Sequence, residues 1–138
     1  MYLIDTNVIS EARKGDRSNA GVRQFFREAV ESGAPCFVSS ITIGEIQRGI
    51  SLCNHRGDQK QGLILQAWLD SVLENYASNI LPFCKDCAQL WGHLCSPDTT
   101  NIIDKQLAAT ALCYDLTVVT RNVRHVAGTG VRVLDPFN

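Results

Sequence analysis

The sequence predicts an α/β domain built on a mostly parallel sheet of about five short strands flanked by helices, and three observations carry that prediction. Short apolar runs, several of them β-branched, recur along the chain. Between them lie stretches with apolar residues at helical spacing, and parallel neighbours need crossovers of this kind. Two of the runs end abruptly in a cluster of small polar groups, at Asp5-Thr6-Asn7 and at Thr120-Arg121-Asn122. A chain of 138 residues makes one domain, residues 1–138, large enough to bury a core without disulfides or a structural metal.

The elements follow in order. Tyr2-Leu3-Ile4 is a strand, and Val8, Ile9 and Ala12 give a short amphipathic helix that stops near Gly15. Ser18 is the expected N-cap of a helix reaching about Ser32, with Val22, Phe25, Phe26, Ala29 and Val30 at core spacing and Gly33 as its stop. Cys36 to Ser39 is a second strand, followed at once by a helix from Ser40 to about Ile50. After a polar break at Asn54 to Asp58, a long helix runs to about Tyr76 with Leu63, Leu65, Trp68, Leu69, Val72 and Leu73 as its apolar positions. Asn79-Ile80-Leu81-Pro82 is a third short strand, which the proline ends. A helix from about Cys84 to Ser96 leads into the turn-rich Pro97 to Asn101. Ile103 to Tyr114 is the clearest helix, its stripe of Ile103, Leu107, Ala108, Ala111 and Leu112 suited to lying close to a sheet. Leu116 to Thr120 and Val131 to Leu134 complete the strands.

Composition narrows the class. With 45% hydrophobic and 20% charged residues the chain is an ordinary globular protein, and no apolar run reaches the length of a membrane span. A cytoplasmic protein with no membrane association is expected. The net charge of -1 provides no global basic field, so nucleic-acid contact must use local patches. Two are present: Arg13, Lys14 and Arg17, and Arg121, Arg124, His125 and Arg132. Six cysteines without a secretory signal are expected as reduced thiols. Cys84 and Cys87 with His93 and Cys95 resemble a zinc pattern in spacing alone, since helical geometry puts His93 on the side opposite Cys84.

The parallel sheet has a chemical consequence. Groups just past the carboxyl ends of strands face the crevice where ligands bind. Asp5 and Thr120 to Asn122 lie at such ends, Glu45 lies about one helical turn beyond another, and Asp104 begins a helix that must reach the same edge. Each acid also has a structural reading: Asp5 as a helix cap, Glu45 as the third member of a capping box begun by Thr42, Asp104 as a helix-dipole partner. Converging, the three would repel one another unless a cation sat between them, and a hard divalent ion that also holds a phosphodiester meets that need.

The ordered motifs resemble those of PIN-domain ribonucleases of the VapC toxin family, most closely its FitB-like branch. They are Leu3-Ile4-Asp5-Thr6-Asn7-Val8-Ile9-Ser10-Glu11, Ile43-Gly44-Glu45 with Arg48-Gly49, Asp104 with Leu107-Ala108-Ala109-Thr110-Ala111, Val119-Thr120-Arg121-Asn122 and Gly128-Thr129-Gly130-Val131. The resemblance implies a PIN-like three-layer fold and a Mg²⁺- or Mn²⁺-dependent endoribonuclease, the toxin of a type II toxin–antitoxin pair. Its implied partners are RNA as substrate, a cognate VapB-type antitoxin, operator DNA through that antitoxin, and a second copy of itself in a homodimer. Carried over by residue, Asp5, Glu45 and Asp104 are the catalytic metal ligands, while Thr6, Asn7, Thr120 and Asn122 are the polar groups that position them. Arg121, Arg124 and His125 are possible substrate contacts. There is one departure: relatives commonly carry an acid where this chain has His125. Imidazole is neutral or positive and favours softer metals, so a second metal position is weakened. The alternative reading is a catalytically weakened homologue acting mainly as an antitoxin-binding, operator-associated repressor subunit. The sequence speaks against a receiver-like module, with Pro82-Phe83 where an acid and Asp135 where a lysine would be needed, and against a phosphatase, with Asn7 where a second Asp would be needed.

Overall fold

The computed structural model describes residues 1–138. Its strands are β1 (Tyr2–Ile4), β2 (Cys36–Ser39), β3 (Ile80–Leu81), β4 (Thr117–Val119) and β5 (Arg132–Leu134). Its helices are α1 (Thr6–Ala12), α2 (Ala20–Ser32), α3 (Ser40–His55), α4 (Gln59–Asn75), α5 (Lys85–Leu94) and α6 (Ile102–Tyr114). The five strands form one sheet in the order β3-β2-β1-β4-β5, with every neighbouring pair parallel. The α/β, PIN-like architecture expected from the sequence is therefore present. No helix is long and apolar enough to cross a membrane.

The order reverses beside β1. From β1 the chain steps outward to β2 and β3, then returns to place β4 and β5 on its other side. Tyr2, Leu3 and Ile4 pair in register with Thr117, Val118 and Val119, so the next residues, Asp5 and Thr120, leave the ladder side by side. That is the topological switch point of an open parallel sheet, where the crevice opens.

Both faces of β1 are buried, as a parallel strand requires. Ile4 packs with Val8, Val22, Phe25, Val38 and Val72 on one side, and Leu3 with Leu107, Ala111, Leu116 and Val118 on the other. Each fully buried aliphatic side chain contributes about 1.5–3 kcal/mol. The small side chains of α6, Ala108, Ala109 and Ala111 among them, are wholly buried.

Several local expectations change. Asn19, not Ser18, caps α2, accepting from the N–H groups of Gly21 and Val22, while the Ser18 hydroxyl donates back to the Gly15 carbonyl. The stripe of α2 is narrow, centred on Val22, Phe25 and Ala29, so Val30 lies beyond its edge and is 81% exposed. On α4 the buried positions are Gly62, Leu69 and Val72, which turns Leu63 out to 72% exposure and leaves Leu73 exposed as well. A Cβ at Gly62 would stand 2.0 Å from the Asn54 amide oxygen on α3, so a larger residue there would make that exposed side chain turn away. Ile103 is exposed because it sits in the first turn of α6, ahead of the sheet contacts of Leu107 and Ala111. Gly33 does end α2, in the left-handed conformation at φ 69°.

Candidate active site

Asp5 occupies the switch point, 4% exposed. It does cap α1: Oδ1 accepts the Thr6 N–H at 2.7 Å. Its other oxygen turns toward β4, where Oδ2 accepts the Thr120 hydroxyl at 2.7 Å and the Asn7 side-chain amide at 3.2 Å. Capping and site membership are thus one arrangement, since a cap at a strand end points its carboxylate along the sheet edge.

Thr120 is the hub behind it. While donating to Asp5, its Oγ1 accepts from the Asn122 N–H at 2.9 Å and the Asn7 amide at 3.3 Å. The Asn7 oxygen in turn accepts the Arg121 N–H at 3.2 Å, so α1 and the segment after β4 are tied by both ends of one amide. Asn122 enters through its backbone. Every group in this frame is partnered, the condition under which a buried polar network holds one geometry.

Glu45 reaches the site from the second turn of α3, where its Oε1 accepts the Thr6 hydroxyl at 3.0 Å. The capping-box reading fails, because Ser39 caps α3 by accepting the Ile41 N–H at 3.0 Å. Asp104, in the first turn of α6, is bound by His125 with 2.6 Å between Nδ1 and Oδ2. An ionised carboxylate only accepts, so that bond places the imidazole hydrogen on Nδ1.

Two of the acids are shifted by their surroundings. Burial pushes the Asp5 carboxyl above the usual range; bonds from Thr120, Thr6 and Asn7 pull it back, and the charge of Asp104 pushes it up again. Glu45 is raised in the same way, by partial burial, with Asp5 and Asp104 adding to it. Raised acids at one edge are a functional signature as well as a cost. As donors they suit a hard cation: carboxylate oxygens remain open on Glu45 and Asp104, and no cysteine is among them. No three His, Cys, Asp or Glu side chains close around one point as a finished cage would. One or two carboxylates, with water completing the shell, is nevertheless how Mg²⁺ is usually held.

A prediction follows from the sign of the Asp5 shift. Without metal, the native state keeps a proton on Asp5 that the unfolded chain has lost, from the usual carboxylate range up to the raised native value. There the native state binds more protons than the unfolded one, so this group's contribution falls as pH rises. In chelator, the stability of Asp5→Asn relative to the parent is expected to rise as pH increases from the usual carboxylate range of about 4. Urea titrations at several pH values measure this, and a difference that moves the other way contradicts it.

Among the basic groups, Arg121, Arg124 and His125 line an open cleft of about 340 Å³ with Asn122 and Asp135. Arg121 is braced there, its guanidinium 4.7 Å from the centre of the Phe137 ring. Of the other patch, Lys14 pairs with Glu11 at 2.6 Å and Arg13 lies over Trp68. One contributor was not foreseen. Lys105 is buried beside Asp104, its Nζ donating to the Asp98 carbonyl at 2.5 Å and lying 3.5 Å from that residue's carboxylate. It anchors the loop that feeds α6, and its sole sequence signal was a charge inside an apolar helix.

The PIN domain matches this chain over residues 2–127. The chain belongs to the PIN-domain family. This PIN domain is similar along its whole length to toxin FitB of Neisseria gonorrhoeae, 30% identical over 100% of this chain and 99% of that protein. It is 28% identical to the VapC ribonuclease Y4jK of Sinorhizobium fredii, over 99% and 98% of the two chains. Among solved structures, that of FitAB bound to an IR36 DNA fragment superposes with a TM-score of 0.81 at 28% identity, covering 100% of this chain and 96% of the other.

Proposed function

We propose that this PIN domain is the toxin of a type II toxin–antitoxin pair and cleaves RNA with a divalent metal ion. The observation that carries the reading is the hydrogen-bonded frame at the switch point, where Thr120 and Asn7 hold Asp5 and Thr6 holds Glu45, with the charge of Asp104 acting on both acids. Asp5, Glu45 and Asp104 would hold Mg²⁺ or Mn²⁺. Such an ion supplies Lewis-acid charge at a phosphodiester and makes water a nucleophile near neutral pH. The protein's own groups do the rest. Thr120 and Asn7 hold Asp5 in one rotamer, Thr6 holds one oxygen of Glu45 and leaves the other free, and His125 holds Asp104. Arg121 and Arg124 line the cleft beside His125, and guanidinium groups there would pair with phosphate oxygens.

The similarity to FitB, a toxin, and to a VapC ribonuclease supports the activity, and the FitAB–DNA structure supports an antitoxin partner that carries operator DNA. A homodimer in the cytoplasm belongs to the same reading. The bond from His125 to Asp104 favours a second reading, a weakened toxin that serves mainly in the repressor complex, because one oxygen of a ligand is already engaged.

The assay uses protein purified free of its antitoxin. RNA is expected to be cleaved with Mn²⁺ or Mg²⁺ and left intact in chelator, and Asp104→Asn to be slower by about a hundredfold. Cleavage that persists in chelator, or at the parental rate in the variant, rules out the metal mechanism. Mn²⁺ binding without cleavage selects the second reading.

A further inference from the structure

The nuclease reading makes no use of the far end of α6, where α5 begins. Three of the six cysteines gather there. Cys84 is the residue before the first turn of α5, extended at φ -82° and ψ 177°, and Cys87 lies one turn into the helix. Their sulfurs are 3.4 Å apart. The two differ in access: Cys84 is half-buried, whereas Cys87 has no exposed surface. Cys113, exposed in the last turn of α6, also interacts with Cys87. His93 is exposed on α5, and no group of three ligands there could hold a metal.

We infer that Cys84 and Cys87 form a reversible thiol–disulfide site, with Cys84 as the attacking sulfur and Cys87 as the resolving one. Three features point to exchange chemistry and away from simple core packing. Residues three apart at a helix start are neighbours, and these two sulfurs, 3.4 Å apart, need to close to about 2.05 Å to bond. The reachable sulfur sits at the positive end of a helix dipole, where a thiolate is favoured. Its partner is shielded from solvent. Charge agrees with this assignment. The Cys87 N–H and thiol, then the Asp86 N–H, hold the Cys84 thiol below its ordinary pKa, while burial and the Cys84 thiol push Cys87 up to about 12.

The oxidant is a low-molecular-weight disulfide. The Cys84 thiolate, its proton lost to solvent, attacks one sulfur of that disulfide. The small molecule's S–S bond breaks and one thiolate leaves, giving a mixed disulfide on Cys84. Cys87 then gives up its proton as its sulfur attacks Cys84 Sγ, and the second small thiolate departs. The two leaving thiolates take up the two protons. Two protein thiols are oxidised to one disulfide, and one small disulfide is reduced to two thiols.

Oxidised glutathione is the probe, applied to the reduced full-length protein, followed by acid quenching, alkylation and tryptic mapping. The native protein is expected to lose two of its six alkylatable thiols. Cleavage after Lys85 separates Cys84 from Cys87, so the product appears as two linked peptides that dithiothreitol releases. Cys84 is expected to react ahead of the more exposed Cys113, and Cys87→Ala to stop at a glutathione adduct on Cys84. Three results would overturn the site: Cys84 stays alkylatable, Cys113 takes its place in the bond, or the bond forms only in urea. None of these outcomes depends on RNA cleavage.

Discussion

Asp5→Asn is expected to slow divalent-dependent RNA cleavage by about a hundredfold or more, the scale of losing several kcal/mol of transition-state charge stabilisation. The change is nearly isosteric, so its effect comes from charge and from the direction of hydrogen bonds. Oδ1 can still accept the Thr6 N–H. At the Oδ2 position an amide group would face two donors, the Thr120 hydroxyl and the Asn7 amide. Thr120 cannot simply reverse, because its oxygen already accepts from Asn7 and from the Asn122 N–H. One buried donor is left without a partner, a cost of about 1–3 kcal/mol. Activity is therefore measured below the variant's own unfolding transition. A folded variant that cleaves RNA at the parental rate would remove Asp5 from the chemistry.

The same network shows what could be read from the residues alone. The position of Asp5 was legible because it is set locally: an acid directly after a short strand must stand at the sheet edge, whatever the rest of the chain does. The parallel sheet was legible for a similar reason, since each strand and crossover shows its own periodicity. Groups that act through distant contacts were not. Lys105 reads as a surface charge until the Asp98 loop folds over it, and Arg121 as a free cation until Phe137 comes beneath it. Nothing in the segment after Thr120 announces that Val123–Val126 coils into a 3-10 turn and delivers His125 to Asp104 from 21 residues away. Val30 and Leu63 failed for a different reason. Helical spacing gives the direction of a stripe but not its width, which is set by how much neighbour each helix meets.

That delivered histidine gives the second large effect. Because Nδ1 engages Asp104 at 2.6 Å, His125→Asp replaces a donor with an acceptor at hydrogen-bond range. Two carboxylates would then face each other beside Asp5 and Glu45, with no donor between them. Without metal the repulsion has no compensation, so the variant is expected to unfold at a lower temperature than the parent. With a divalent ion the sign reverses: an added negative oxygen ligand and a released Asp104 oxygen both favour a hard cation. Changes to groups that hold a ligand typically alter metal affinity by about 10–100-fold, and here the direction is tighter binding. Thermal unfolding in chelator and across a Mn²⁺ series measures both effects at once, because stabilisation grows with the ratio of free ion to dissociation constant. The variant should begin below the parent and respond at lower Mn²⁺. A response identical to the parent's would mean that Asp104 and position 125 lie outside the ion's reach, and the three-acid site would then reduce to Asp5 and Glu45.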